Sequence, residues 1–116
     1  MNKIEKKKIL VTGMAGFIGH HLTKLLVKNN YTVVGLDNIN DYYDPNLKLA
    51  RLTDLGFDTS EIAYNKLLEI ENTSFIKLDL TDLENMKKLF KEQQFNYVVN
   101  LAAQAGVRYS LKNPHS

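Results

Sequence analysis

Three glycines at intervals of three, Gly13, Gly16 and Gly19, follow directly on the apolar run Ile9-Leu10-Val11 and open a stretch whose apolar residues recur every three or four positions. A short continuous apolar run suits a strand covered on both faces of a parallel sheet. Phe17, Ile18, Leu22, Leu25 and Leu26 recur at helical intervals, which predicts a helix to about residue 29 with one stripe against that sheet. Tyr31 to Leu36 is β-branched and aromatic through Tyr31, Thr32, Val33 and Val34, and predicts a second strand with Asp37 at its carboxyl end. The result is a strand, helix, strand unit.

The rest of the chain repeats the scheme with one irregular insert. Asp37 to Pro45 is rich in Asp, Asn and Tyr and reads as a polar loop. Leu47, Leu49, Leu52 and Leu55 predict a short helix ended near Gly56. Ile62, Ala63, Leu67 and Ile70 suggest another, capped by Thr59 or Ser60. Ser74 to Leu78 predicts a third strand, and Thr81 with Glu84 forms a reciprocal capping pair before the stripe Leu83, Met86, Leu89 and Phe90. Phe95 to Leu101 predicts the fourth strand. The expected fold is α/β: a parallel sheet in the order 3-2-1-4 with helices on both faces.

In a strand-to-helix turn, Gly13 permits a sharp bend, Gly16 lets bare backbone approach an anion, and Gly19 lets the helix pack close to the strand. Three spaced glycines also serve purely structural turns. The flanking strand, the amphipathic helix and an acid after the next strand favour a dinucleotide pyrophosphate, with Phe17 and Ile18 in the helix turn that faces it. A triphosphatase loop needs Gly-Lys-Ser/Thr, whereas His20 and His21 follow Gly19. Asp37 stands 18 positions after Gly19, near the spacing of a carboxylate that accepts the adenosine ribose hydroxyls, or it is a solvated loop aspartate. No Arg or Lys occupies positions 38–44, which argues for NAD over NADP. Asp79 and Leu80, at the end of the third strand, suit the adenine edge or merely lead into the next helix.

Other classes find little support. Fifteen Lys and Arg against 13 Asp and Glu give a net charge of +2, so a nucleic-acid partner is not expected, and Lys3, Lys6, Lys7 and Lys8 read as a charged entry to the first strand. The chain has no cysteine, which excludes a disulfide and is compatible with the cytoplasm. Its apolar runs are too short to span a membrane. His20 and His21 point to different sides of a helix, so no metal site is expected.

Over almost all of its 116 residues the chain resembles the extended short-chain dehydrogenase/reductase class, the NAD-dependent nucleotide-sugar epimerases and dehydratases, of which the glycine motif marks only the superfamily. Two stretches narrow the resemblance to UDP-glucuronate 4-epimerases of surface-polysaccharide synthesis: Leu36-Asp37-Asn38-Ile39-Asn40-Asp41-Tyr42-Tyr43-Asp44-Pro45, running on into Leu47-Lys48-Leu49-Ala50-Arg51-Leu52, and Asn100-Leu101-Ala102-Ala103-Gln104-Ala105-Gly106-Val107-Arg108-Tyr109-Ser110. The resemblance implies a Rossmann-type sheet forming the N-terminal part of a larger doubly wound domain. It implies that Gly13, Gly16 and Gly19 wrap the NAD pyrophosphate, that Asp37 holds ribose beside Asn38 and Asn40, and that Asp79 and Leu80 approach adenine. Leu101, Ala102, Ala103 and Gln104 would pass beside the cofactor, and Arg108 would lie near a UDP-sugar, although by residue type alone it is equally a surface arginine.

Family members carry a catalytic Ser/Thr, a Tyr-x-x-x-Lys pair and a sugar-binding domain that the 116 residues do not include; none of Tyr31, Tyr42, Tyr43, Tyr64, Tyr97 and Tyr109 has Lys four positions on. No catalytic residue is therefore assigned. The chain is expected to be a partial NAD-binding domain, inactive alone, of an enzyme that takes a UDP-sugar and forms a homodimer. A non-catalytic nucleotide-binding protein, or part of a related dehydratase or reductase, would share these features.

Overall fold

The computed structural model describes residues 6–39 and 45–102. In chain order these form β1 (Lys8–Thr12), α1 (Phe17–Lys28), β2 (Thr32–Asp37), α2 (Pro45–Asp54), a 3-10 turn at Thr59–Glu61, β3 (Leu67–Ile70), β4 (Thr73–Lys77), α3 (Leu83–Gln93) and β5 (Tyr97–Asn100). The sheet runs β3-β4-β2-β1-β5. Its parallel part, β4-β2-β1-β5, is the expected 3-2-1-4 order, with Leu10 of β1 opposite Val34 on one side and Val98 on the other.

β3 departs from expectation. Residues 62–70 were suited to a helix by spacing, but Leu67 to Ile70 pair antiparallel with β4, Leu67 opposite Ile76 and Ile70 opposite Thr73. Glu71, in the left-handed region at φ 52°, turns the chain between them. The free edge of β4 offers backbone partners that an isolated helix of this length lacks, so pairing overrides the weak periodicity. Two caps also move. Asp58, not Thr59 or Ser60, caps the 3-10 turn by accepting from the Ser60 amide. Asp82 caps α3, accepting from the Asn85 amide, because the Thr81 hydroxyl donates to Asp79 Oδ1 at 2.7 Å.

Alternation along the strands divides the core between the two sheet faces. Ile9, Val11, Val33 and Phe75 meet Met14, Leu52 and Phe57 on the α1–α2 side, while Leu10, Val34, Leu36 and Ile76 meet Leu78 and Leu89 on the α3 side. The α1 stripe is narrower than its periodicity suggests. Leu22 and Leu26 pack on the core, but Phe17 and Ile18 are 65% and 64% exposed, and Leu25 is exposed too. The face nearest the strands is carried by small residues instead: Gly19 and Thr23 are buried, and the Thr23 hydroxyl donates to the Gly19 carbonyl at 2.7 Å. On α3, Leu89 is buried and Met86 partly so, whereas Leu83 and Phe90 are exposed.

Candidate functional site

At the carboxyl end of β1 the chain turns through Gly13 at φ 80°, where the Gly13 amide donates to the Leu36 carbonyl at 2.7 Å. A Cβ on Gly13 would lie 2.9 Å from the Ala102 nitrogen, and one on Gly19 only 2.1 Å from the Gly13 carbonyl oxygen. These two glycines are required by the protein's own packing. Gly16 is different. Its backbone is extended, at φ −77°, and a Cβ there would meet only the Gly13 oxygen, at 3.3 Å. Apart from its chain neighbours, no other heavy atom among the described residues lies within 4 Å of that position. It is also the N-cap of α1, with no capping side chain and no acidic residue in the first helical turn. The amides and positive end of α1 are thus presented beside bare backbone, an arrangement that fits a diphosphate.

Asp37 closes one side of this opening and is only 4% exposed. Its Oδ2 accepts from the Ala15 amide at 3.1 Å, tying the glycine turn to the end of β2, and its Oδ1 accepts from the Ile39 amide at 2.9 Å. Lys48 of α2 donates to the same Oδ1 at 2.9 Å, and Arg51 Nη1, one helical turn on, donates to the Ala15 carbonyl at 3.2 Å. The absence of a base next to Asp37 therefore holds along the sequence but not in space, because α2 folds back across the end of β2. Lys48 and Arg51 are the residues that sequence reading missed. Their three-residue spacing on the helix after the loop was the available signal.

The remaining wall comes from β5 and β4. The Thr12 hydroxyl donates to Asn100 Oδ1 and accepts from the amides of Leu101 and Ala102 at 3.0 and 3.2 Å, which presses Ala102 against Gly13. Asp79 organises the β4 exit rather than standing free: its Oδ1 accepts from the Thr81 amide and hydroxyl, and its own amide donates to the Tyr64 hydroxyl at 3.3 Å. Leu80 packs partly on the α3-side core. Asn38 is half-buried directly after Asp37. Asn40, Ala103, Gln104 and Arg108 lie outside the described residues.

His20 and His21 face differently: His20 is buried and its Nε2 lies 2.8 Å from Asp54 Oδ2, while His21 is exposed. Lys24 donates to the same Asp54 oxygen, so Asp54 holds α2 against α1. Its carboxyl sits below the ordinary value of 3.8, chiefly through the Lys24 hydrogen bond and then through His20. A depressed folded value contributes stability that is present above the unfolded value and lost as pH falls through the lower one. Asp54→Asn should thus lower stability in urea unfolding at about pH 5, and the gap from the parent should close progressively below pH 3.8. A gap that widens on acidification contradicts this link.

Residues 10–116 match the family model described as GDP-mannose 4,6 dehydratase. The chain belongs to this family. It is 45% identical over 108 residues to UDP-glucuronate 4-epimerase 4 of Arabidopsis thaliana, covering 93% of this chain and 22% of that protein. The UDP-glucose 4-epimerase of Thermotoga maritima, solved with UDP-glucose, aligns over 93% of this chain and 28% of its own at 31% identity and TM-score 0.57. The UDP-glucose 4-epimerase of Thermus thermophilus, solved with NAD, aligns over 92% and 27% at 29% identity and TM-score 0.56. Against these relatives the chain spans roughly a quarter of the length. No helix among the described residues is long and apolar enough to cross a membrane.

Proposed function

We propose that these 116 residues hold the adenosine and pyrophosphate of NAD within a nucleotide-sugar 4-epimerase that interconverts UDP-glucuronate and UDP-galacturonate through a 4-keto sugar. The observation that carries the reading is the bare backbone at Gly16, with the uncapped start of α1 on one side and the Asp37 carboxylate on the other. In this reading Gly13, Gly16, Phe17, Ile18 and Gly19 offer backbone to the pyrophosphate, and Asp37, with Asn38 and Asn40, takes the adenosine ribose. Asp79 and Leu80 border adenine. Leu101, Ala102, Ala103 and Gln104 line the way toward the reacting sugar, and Arg108 suits its diphosphate or carboxylate. NAD supplies the acceptor for the sugar hydride when bound. The residues here bind and orient; the base that takes the hydroxyl proton belongs to a Tyr-x-x-x-Lys pair that they do not contain.

Exposed apolar side chains at the β5 edge, Tyr97, Val98 and Leu101, and on α1, Phe17, Ile18 and Leu25, support the reading of a partial domain whose sheet continues past β5. The family model, described as a dehydratase, favours a second reading in which the same segment serves a 4,6-dehydratase. Calorimetric titration tests what both share: NADH should bind weakly but measurably, and NADPH more weakly, since its 2′-phosphate meets Asp37. Equal or tighter binding of NADPH would refute the assignment.

A further inference from the structure

Asp37 is more heavily engaged than a simple ribose acceptor. A carboxylate offers about four acceptor positions. Three are taken, by the Ala15 and Ile39 amides and by Lys48 Nζ. The lysine is itself mostly buried, its side chain 14% exposed, and among the described residues this is its one hydrogen bond, leaving two N–H groups for other oxygens. Arg51 lies one turn further along α2, with one of its five donors on the glycine turn. Two cations from one helix thus reach the rim where the adenosine ribose would lie, and one of them is held by the carboxylate.

We propose that Lys48 is a specificity-determining residue of this site: it is a latent anchor for a 2′-phosphate, kept occupied by Asp37. The inference rests on the dinucleotide reading above. The Asp37–Lys48 pair sums to no net charge, so preference for a free 2′-hydroxyl comes from Asp37 both occupying that cation and filling the space. Without the carboxylate, the Lys48 ammonium is freed for the 2′-phosphate, and the Arg51 guanidinium, suited to forked phosphate contact, adds a second donor set.

The test titrates NADH, NADPH and adenosine 2′,5′-bisphosphate into the parent chain and four variants by calorimetry, with circular dichroism confirming that each is folded. D37N should raise affinity for adenosine 2′,5′-bisphosphate at least about tenfold over the parent, as expected for a gained charge-assisted hydrogen bond. D37N/K48M, which removes both charges together, should lose most of that gain, and D37N/K48R should keep it. A merely structural Lys48 would not move this coupling. Independently, K48M in the parent should widen the preference for NADH over NADPH by about tenfold, since the residual cation at the 2′ position is gone. An equal gain in D37N and D37N/K48M, no gain in D37N, or a folded K48M with the parent's NADH-to-NADPH ratio overturns the proposal. If the parent binds no NADH, the dinucleotide reading itself fails; if it binds NADH but the coupling is absent, the role of Lys48 alone fails.

Discussion

Incubated with NAD+ and UDP-glucuronate, the purified 116-residue chain should form no UDP-galacturonate detectable by chromatography. Loss of a positioned proton-transfer group alone costs about 10²- to 10⁴-fold, and loss of the surface that orients the sugar adds to it. Tyr64 does not supply a substitute. Among the described residues, Tyr64 is the tyrosine whose hydroxyl meets a site residue, accepting from the Asp79 amide, and it donates that hydroxyl to Asp82 at 2.7 Å. Burial first, and then that bond, push its ionisation above the ordinary value of 10.0, the opposite of what a tyrosinate base needs. Arg108 stays protonated and cannot act as the base. Conversion by the chain that survives removal of contaminating epimerase and disappears on Tyr109→Phe would overturn the reading.

The second large effect concerns stability. Gly19→Ala places a methyl 2.1 Å from the Gly13 carbonyl oxygen, a backbone atom that cannot swing aside. Overpacking of this kind costs about 1–3 kcal/mol, and a clash this close belongs at the upper end. Alanine's better helix propensity returns about 1 kcal/mol. The net loss, about 2 kcal/mol, should lower the thermal midpoint by about 5–15 °C. Gly16→Ala meets the same oxygen at 3.3 Å from an extended backbone, so its midpoint should stay within about 3 °C of the parent while NADH binding is lost. Circular dichroism melts of the two variants check the contrast. A Gly19→Ala chain that melts with the parent contradicts the close packing of α1 on the turn.

The parallel part of the fold was legible because its signals are local and agree: Ile9 to Val11 and Val33 to Leu36 are apolar runs that only a sheet covered on both faces can bury. β3 was not, because Leu67 to Ile70 owe their form to the edge of β4 and not to their own spacing. The outward turn of Phe17, Ile18 and Leu25 was hidden for a related reason. Periodicity marks apolar residues, whereas Gly19 and Thr23 decide which face of α1 comes close to the strands. At the site, the glycines and Asp37 could be read from spacing along the chain, but Lys48 reaches Asp37 from eleven positions away through the placement of α2. Asp79 was placed correctly at the strand end, and its commitment to Thr81 depends on a turn that spacing does not specify.

At 13.3 kDa the chain is small enough for residue-by-residue amide spectra, and these give the most direct test of the central claim that the glycine turn and Asp37 form one dinucleotide site. Adding NADH to the labelled chain should move the amide signals of Gly13 to Gly19, of Asp37 to Ile39, of Asp79 and Leu80, and of Ala102, all at the carboxyl ends of the parallel strands. Signals of Asn65, Asn85 and Lys88, which line a cleft between α3 and the β3–β4 hairpin, should stay in place. Shifts confined to that cleft, or none at the glycine turn at saturating NADH, would contradict the account.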